Sequence, residues 1–192
     1  TAYFGKWHLG EVDPGMFDVW SGFNSSGGHW VDDVRDGVYK PDQQTDEMIA
    51  FVKSQAGKDK PFFAVNGYYP PHDPYTAPKR FYEPYRDQGV PYAGYYAAVS
   101  AIDYNVGRLV AALEEAGLTE DTIIVYYSDH GDHFSYRGSD HKFTCHEDSI
   151  KVPMVISWPG TIMAGQVIDE FVGLQDLMPT ILDWGGQDIP DY

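Results

Sequence analysis

Apolar and polar positions along the chain follow two different periods, which predict an alternation of strands and helices. Short apolar runs bounded by turn residues predict buried strands at 62–66, 122–127 and 152–158. Apolar residues spaced by three and four predict helices at 42–55 and 95–116 and another beginning near Gln175. Gly117 directly follows the longest helical segment and is typical of the left-handed residue that ends a helix.

This order of elements predicts an α/β fold with a mostly parallel sheet covered by helices. With 192 residues and 43% hydrophobic content, the chain can form the core of one domain or of a large part of one. No apolar run approaches the roughly 20 residues that span a bilayer, and the first residues do not have the pattern of a signal peptide. Since the chain does not begin with Met, we expect it to begin inside a domain.

The composition disfavours several classes of partner. A net charge of -16 with only 13 Lys and Arg residues argues against nucleic acid and against an anionic membrane surface. An anionic small substrate stays possible, because a few cations or a bound metal reverse the potential locally. The single cysteine, Cys145, excludes an internal disulfide. We expect a buried, structural thiol there; a nucleophile activated by His146 is the alternative.

The strand predicted at 122–127 leads directly into Asp129 and His130. A carboxylate and an imidazole at a strand end suit a divalent cation, provided that other ligands come from elsewhere. The alternative is an ordinary loop start, capped by Asp129 and turned by Gly131. Further along, Lys142 could neutralise an anionic substrate, and Glu147 could orient the lysine side chain. The alternative is that Lys142 is a solvated surface cation.

Two more segments carry candidate chemistry. If Gly5–Gly10 is extended, Lys6 and His8 share one face above an apolar anchor of Trp7 and Leu9. The alternative is a surface lysine and a capping histidine beside a core tryptophan. His72 lies between prolines that restrict the backbone and could serve as a general acid, or it belongs to a proline-rich surface turn.

In this order, the motifs resemble those of the formylglycine-dependent type I sulfatases over nearly the whole chain. Gly5-Lys6-Trp7-His8-Leu9-Gly10 resembles the second sulfatase signature, and Pro71-His72-Asp73-Pro74 resembles the middle histidine loop. Ser128-Asp129-His130-Gly131-Asp132 resembles the metal-binding strand end. Lys142 together with 147–154 resembles the lysine-to-strand segment that follows in the family, and 175–182 is similar to the helix after that segment.

The resemblance implies an alkaline-phosphatase-like three-layer α/β sandwich, incomplete at the N-terminus, with residues 1–192 as part of a single catalytic domain. It also implies hydrolysis of sulfate esters by a formylglycine made from Cys or Ser within Cys/Ser-x-Pro-x-Arg. The formylglycine hydrate attacks sulfur and the alcohol leaves; the sulfated intermediate then collapses to the aldehyde as its C–O bond breaks and sulfate leaves. That motif and the family's paired aspartates are absent from these residues, so we expect them to precede Thr1 and expect residues 1–192 alone to be inactive.

The resemblance also implies a role for each matched residue. Lys6 would hold the sulfate and the formylglycine hydrate, and His8 would act as the base that restores the aldehyde. His72 and Lys142 would contact the sulfate and the leaving oxygen. Asp129 and His130 would bind Ca2+ or Mg2+. His130 stands where many relatives have Asn, which keeps Mn2+ open as well.

Two other function classes remain open. A phosphonate monoester or phosphodiester hydrolase of the same superfamily shares the Asp-His-Gly strand end, although Gly5-Lys6-Trp7-His8 favours sulfate. A non-catalytic, acidic module that binds metal or glycan is the third possibility. The leading expectation is a small-molecule or glycan sulfate ester as substrate, with a periplasmic or extracellular location suggested by the family.

Overall fold

The chain folds as an α/β protein, described by a computed structural model over residues 1–25, 28–138 and 140–191. It divides into two compact units, an N-terminal unit (Thr1–Thr119) and a C-terminal unit (Glu120–Tyr192). Within the described ranges, no helix has the length and apolar character needed to cross a membrane.

A three-stranded parallel sheet forms the centre of the N-terminal unit. Its strands are β1 (Ala2–Lys6), β2 (Val19–Phe23) and β3 (Ala64–Gly67), in the order β2-β1-β3. The register aligns one glycine from each strand: Gly5, Gly22 and Gly67. The carboxyl ends of all three strands therefore lie at one edge of the sheet, which is where open α/β sheets carry their ligands.

Two long helices of the same unit pack together. Helices α1 (Lys40–Lys53) and α3 (Ala93–Glu115) confirm the helices predicted at 42–55 and 95–116 to within two residues at each end. Between them, the Asn105 amide donates to Asp42 Oδ1 at 2.8 Å. A short helix, α2 (Lys79–Tyr82), precedes α3 and packs against it.

The buried face of α3 agrees in part with the apolar spacing that predicts the helix. Ile102 and Leu113 are buried, whereas Val99 and Val110 of the same spacing are 39% and 43% exposed. Small side chains are buried as well, because they allow neighbouring segments to approach the helix closely. The resulting core contains Trp30, Tyr39, Ala77, Ala97, Ala98 and Ala101.

The end of α3 is the one predicted from Gly117. That residue has a φ of +69°, and its amide donates to the Glu114 carbonyl at 3.0 Å. The amide of Leu118 donates to the Leu113 carbonyl at 2.9 Å, which completes a Schellman motif.

The C-terminal unit contains an antiparallel pair of strands and two helices. The strands are β4 (Ile124–Tyr127) and β5 (Met154–Ser157), both shorter than the predicted runs. Helix α4 (Glu147–Ile150) is a single turn that precedes β5, and α5 (Leu177–Trp184) confirms the predicted final helix.

Two burial predictions for the C-terminal unit are wrong. Val155 on β5 is 58% exposed and Tyr127 on β4 is 46% exposed. Each strand pairs only with the other among the described residues, so the covering that an apolar run needs for burial is incomplete.

Cys145 is exposed, so the prediction of a buried thiol is wrong. It lies in the polar segment before α4, and the buried residue of α4 is Ser149.

Candidate functional site

Lys6 is the last residue of β1 and projects from the carboxyl edge of the N-terminal sheet. A glycine must precede it: Gly5 has a φ of +98°, and an added Cβ would lie 2.2 Å from the Gly67 carbonyl oxygen. The ammonium of Lys6 lies 5.0 Å from the centroid of the Tyr69 ring, within cation–π range. The pairing of β1 with β3 thus brings Lys6, at the end of β1, onto the ring of Tyr69, which follows β3 in sequence.

His72 stacks on the same aromatic ring. The imidazole and the Tyr69 ring have centroids 4.9 Å apart and planes inclined by 16°. The backbone amide of His72 donates to the Tyr69 carbonyl at 3.2 Å, which closes a turn and keeps the two rings together. We use the name Tyr69 cluster for Lys6, Tyr69 and His72, which the structure brings together as neighbours.

The hydrogen bonds of His72 determine which ring nitrogen carries its proton. Nδ1 lies 2.9 Å from the Asp73 carbonyl oxygen and 3.0 Å from its carboxylate Oδ1. Both partners can only accept, so Nδ1 must be the protonated nitrogen. Nε2 is left as the nitrogen that gains or loses a proton, which is the property required of a general acid or base.

The structure does not bring His8 into this cluster by any hydrogen bond or ring contact among the described residues. The chain leaves the extended conformation after Lys6, and His8 has a φ of +59°. Trp7 packs against Tyr3 with ring centroids 4.9 Å apart and supplies the expected apolar anchor. Leu9 is 80% exposed, so the prediction that it shares this role is wrong, because the alternation of faces stops where the strand ends.

A buried histidine supports the Tyr69 cluster from another side. His29 is 2% exposed, and its ring meets the Tyr69 ring edge-on at 5.3 Å. Its Nδ1 lies 3.2 Å from the Thr76 carbonyl oxygen and 3.1 Å from the Thr76 hydroxyl oxygen. Burial lowers the pKa of His29, which favours the neutral imidazole.

In the C-terminal unit, the three predicted site residues lie next to one another. Nδ1 of His130 lies 2.7 Å from the Gly131 carbonyl oxygen, which requires the proton on Nδ1 and leaves a lone pair on Nε2. The Lys142 ammonium lies 2.9 Å from that Nε2 and donates to it. Nε2 is also 3.5 Å from Oδ2 of Asp129.

Backbone contacts explain how Lys142 returns to the end of β4. The amide of His133 donates to the His141 carbonyl at 2.8 Å and closes the intervening loop. The amide of Gly131 donates to the Ser149 carbonyl at 2.8 Å, which ties the strand end to α4. Lys142 therefore hydrogen-bonds to His130, and no hydrogen bond joins it to Glu147 within the described ranges, contrary to the orientation expected from sequence.

The donors at this strand end fit a divalent cation in type but are few. A carboxylate oxygen and an imidazole lone pair 3.5 Å apart can both face one ion. In the part of the chain that the structure describes, no three His, Cys, Asp or Glu side chains are placed to hold a metal. Asp129 and His130 can thus supply part of a ligand set, and an ion on Nε2 would have to displace the Lys142 ammonium from the lone pair.

Sequence reasoning missed Tyr69 and the supporting role of His29. Nothing in the local pattern marks Tyr69 apart from its place three residues before His72, because its contact with Lys6 depends on the pairing of β1 with β3. From sequence, His29 belongs to a segment, 22–33, that is a plausible specificity loop, and nothing there predicts its contact with Tyr69; Ser26 and Gly27 of that segment lie outside the described residues.

The family model described as Sulfatase matches residues 1–187. An arylsulfatase of Clostridium perfringens is 30% identical over 183 residues, covering 76% of this chain and 38% of that protein. An ulvan-active sulfatase of Formosa agariphila is 28% identical and covers 100% of this chain and 45% of that protein. The chain thus spans less than half the length of these curated relatives.

A solved structure shares the fold. The crystal structure of Ps i-CgsB in complex with k-i-k-neocarrahexaose superimposes with a TM-score of 0.85 and 25% identity. The match covers 99% of this chain and 51% of that one.

Proposed function

Because the chain belongs to the sulfatase family, we propose that it takes part in the hydrolysis of sulfate esters. The observation that carries this proposal is the Tyr69 cluster. It holds an ammonium and an imidazole, Lys6 and His72, on one aromatic ring, following two adjacent parallel strands. A cation held in position together with a proton-carrying group is what the transfer of a negatively charged sulfuryl group requires.

In the N-terminal unit, the proposed roles follow from charge and protonation. Lys6 binds a sulfate oxygen through its ammonium and stabilises the negative charge of the group during transfer. His72 contacts the sulfate and the leaving oxygen, and Nε2 is the atom through which it can give a proton to the departing alcohol. His8 lies two residues after Lys6 and is exposed. Its proposed role is that of the base that restores the aldehyde of the formylglycine.

In the C-terminal unit, Lys142 is proposed to contact the sulfate and the leaving oxygen, and Asp129 with His130 to hold Ca2+, with Mg2+ or Mn2+ as alternatives. A divalent cation would supply positive charge next to a sulfate oxygen. Lys142 and His130 are neighbours, 2.9 Å apart between Nζ and Nε2, and binding of the ion by Nε2 would shift the Lys142 ammonium from that lone pair towards the sulfate. The nitrogen donor in this pair is the reason to keep Mn2+ in the comparison with Ca2+.

The proposed nucleophile is not among these residues, since no Cys/Ser-x-Pro-x-Arg occurs in positions 1–192. A formylglycine supplied from outside these residues would provide the attacking hydroxyl. We propose that residues 1–192 are part of one catalytic domain and that the remaining metal ligands come from outside these residues.

We infer a sulfated glycan or a small sulfate ester as the substrate. Support comes from the names of the relatives: one is ulvan-active, one is an arylsulfatase, and one structural neighbour was solved with a carrahexaose. Such substrates are consistent with a periplasmic or extracellular location.

Substitution of His72 tests the proposed function. In the full-length protein that contains these residues, His72→Ala should lower kcat/KM for para-nitrophenyl sulfate about a hundredfold or more, because the proton donor is lost. His146→Ala is the matched control, since His146 is exposed and its side chain makes no hydrogen bond among the described residues. An unchanged kcat/KM in His72→Ala would contradict the assignment.

A further inference from the structure

The loop that carries His72 is anchored at its far end by Thr76. Residues 69–76 follow β3, and His72 lies near the middle of this loop. The backbone carbonyl and the hydroxyl of Thr76 are contacted by three side chains from a distant segment of the chain: His29, Trp30 and Tyr39. We use the name Thr76 anchor for these four residues.

The contacts of the Thr76 anchor are hydrogen bonds. The Trp30 indole Nε1 donates to the Thr76 hydroxyl oxygen at 3.2 Å, and the Tyr39 hydroxyl donates to the Thr76 carbonyl at 3.3 Å. His29 Nδ1 lies 3.1 Å from that hydroxyl oxygen and 3.2 Å from that carbonyl oxygen. Nδ1 therefore has a partner on Thr76 in either neutral tautomer, because it can donate to the carbonyl or accept the hydroxyl proton.

Packing holds the three contacting side chains in place. His29, Trp30 and Tyr39 are 2%, 6% and 2% exposed. Trp30 and Tyr39 form an antiparallel bridge, and the amide of Lys40, the first residue of α1, donates to the His29 carbonyl at 3.0 Å. Side chains that are fixed by packing and by a helix can hold a neighbouring loop in one position.

His29 connects the Thr76 anchor with the near end of the loop. Its ring meets the Tyr69 ring edge-on, with centroids 5.3 Å apart, while its Nδ1 contacts Thr76. The same imidazole thus contacts residues on both sides of His72 in sequence. Because Pro74 restricts the backbone between His72 and Thr76, a displacement of Thr76 would also displace His72.

From these contacts, and resting on the proposed function, we infer that His29 is a positioning residue for His72 in the hydrolysis of sulfate esters. His29 is buried, so it acts through the loop and not on the substrate. It holds Nε2 of His72 at the leaving oxygen, which receives the proton from Nε2 as the bond between sulfur and that oxygen breaks. A misplacement of about 1 Å at such a position can lower a rate about a hundredfold.

Two aryl sulfates with leaving groups of different acidity test this role in the full-length protein. His29→Phe keeps a ring against Tyr69 but removes the nitrogen that contacts Thr76. We expect kcat to fall about tenfold for para-nitrophenyl sulfate and about a hundredfold for phenyl sulfate, because phenolate is the poorer leaving group and depends more on a proton from His72. KM should change much less than kcat, since Lys6 and Lys142 are proposed to bind the sulfate.

His29→Asn is the matched control. The asparagine amide can take the position of Nδ1 and keep the hydrogen bond to Thr76, so it should recover most of the activity on phenyl sulfate that His29→Phe loses. A second pair does not alter the buried histidine. Thr76→Val keeps the shape of the side chain and removes the hydroxyl, whereas Thr76→Ser keeps the hydroxyl. Thr76→Val should lower kcat for phenyl sulfate more than Thr76→Ser does.

Unchanged kinetics in His29→Phe, or an equal loss of kcat on both substrates, would overturn the inference, because a purely structural defect does not distinguish leaving groups. If His29→Phe does not fold, equal kcat values of the two Thr76 variants on phenyl sulfate would overturn it. Failure of the wild-type protein to hydrolyse either sulfate would count against the proposed function. Wild-type activity combined with losses that do not depend on the leaving group counts only against the role of His29.

Discussion

At the residue scale, Tyr69 is the side chain that organises the proposed chemistry of the N-terminal unit. Its ring lies under the Lys6 ammonium and stacks on the His72 imidazole. The buried His29 ring packs against another side of it. Both contacts to the proposed catalytic residues are made by the ring and not by the hydroxyl, so Tyr69 acts as a positioning residue.

The ring contacts of Tyr69 lead to a prediction with a conservative rescue. In the full-length protein, Tyr69→Leu should lower kcat for para-nitrophenyl sulfate about ten- to a hundredfold, because Lys6 and His72 lose their common support. Tyr69→Phe keeps the ring and should retain a kcat close to that of the wild type. The measurements are kcat and KM over a pH series, since displacement of His72 should also shift the pH profile.

Equal losses in the Leu and Phe variants would assign the effect to the hydroxyl, and no loss in either would remove the positioning role. A change confined to protein yield would indicate a purely structural residue.

The sequence predicts the chemistry-bearing residues of this cluster better than their support. Lys6 and His72 stand in short motifs whose residue types suggest their chemistry. Tyr69 becomes visible only when β3 pairs with β1, because that pairing decides which loop meets which strand end. Cys145 shows the opposite error: its residue type predicted burial, but its position in a polar segment leaves it exposed.

At the element scale, α3 shows which features of a helix depend on local sequence. Its limits follow from periodicity and from Gly117, whose left-handed φ is disfavoured for other residues. Its buried face follows from partners far away in sequence: the Asn105 amide donates to Asp42 on α1, an interaction that hydrophobic periodicity cannot reveal. The length of the helix was therefore predictable, and its orientation about the helix axis was predictable only in part: Ile102 and Leu113 are buried, but Val99 and Val110 are exposed.

Two glycines of this region give opposite predictions for the same substitution. Gly117→Ala should lower the free energy of unfolding by about 1 kcal/mol, because alanine must adopt a positive φ. Gly107→Ala, inside α3, should raise it by about 0.5 to 1 kcal/mol, because alanine favours the helix. At either position an added Cβ meets no atom within 4 Å, so neither change introduces a clash.

Urea unfolding curves for the two variants and the wild type provide the measurement. Stabilisation by Gly117→Ala, or destabilisation by Gly107→Ala, would contradict the description of this helix and its end.

The strands show the same limit in the C-terminal unit. The apolar runs at 122–127 and 152–158 do contain β4 and β5, but both strands are shorter and more exposed than predicted. A strand extends only as far as its neighbour pairs with it, and burial depends on the layers that cover it. Neither property is present in the run itself.

At the scale of the whole molecule, the family match and the positions of the charged residues both favour an anionic sulfate substrate. The Sulfatase family model matches residues 1–187, and the ordered motifs lie within that range. The acidic net charge of -16 makes the few placed cations more significant, because an anionic substrate needs a local reversal of the potential. We propose Lys6 and Lys142 for this purpose. Lys6 lies over the Tyr69 ring, and Lys142 donates a hydrogen bond to His130.

The central claim is hydrolysis of a sulfate ester rather than a phosphate ester. The most direct test is kcat/KM for para-nitrophenyl sulfate and for para-nitrophenyl phosphate, measured on the full-length protein with Ca2+ and repeated with Mn2+. The account predicts faster turnover of the sulfate and no release of sulfate by residues 1–192 alone. Faster turnover of the phosphate would contradict it.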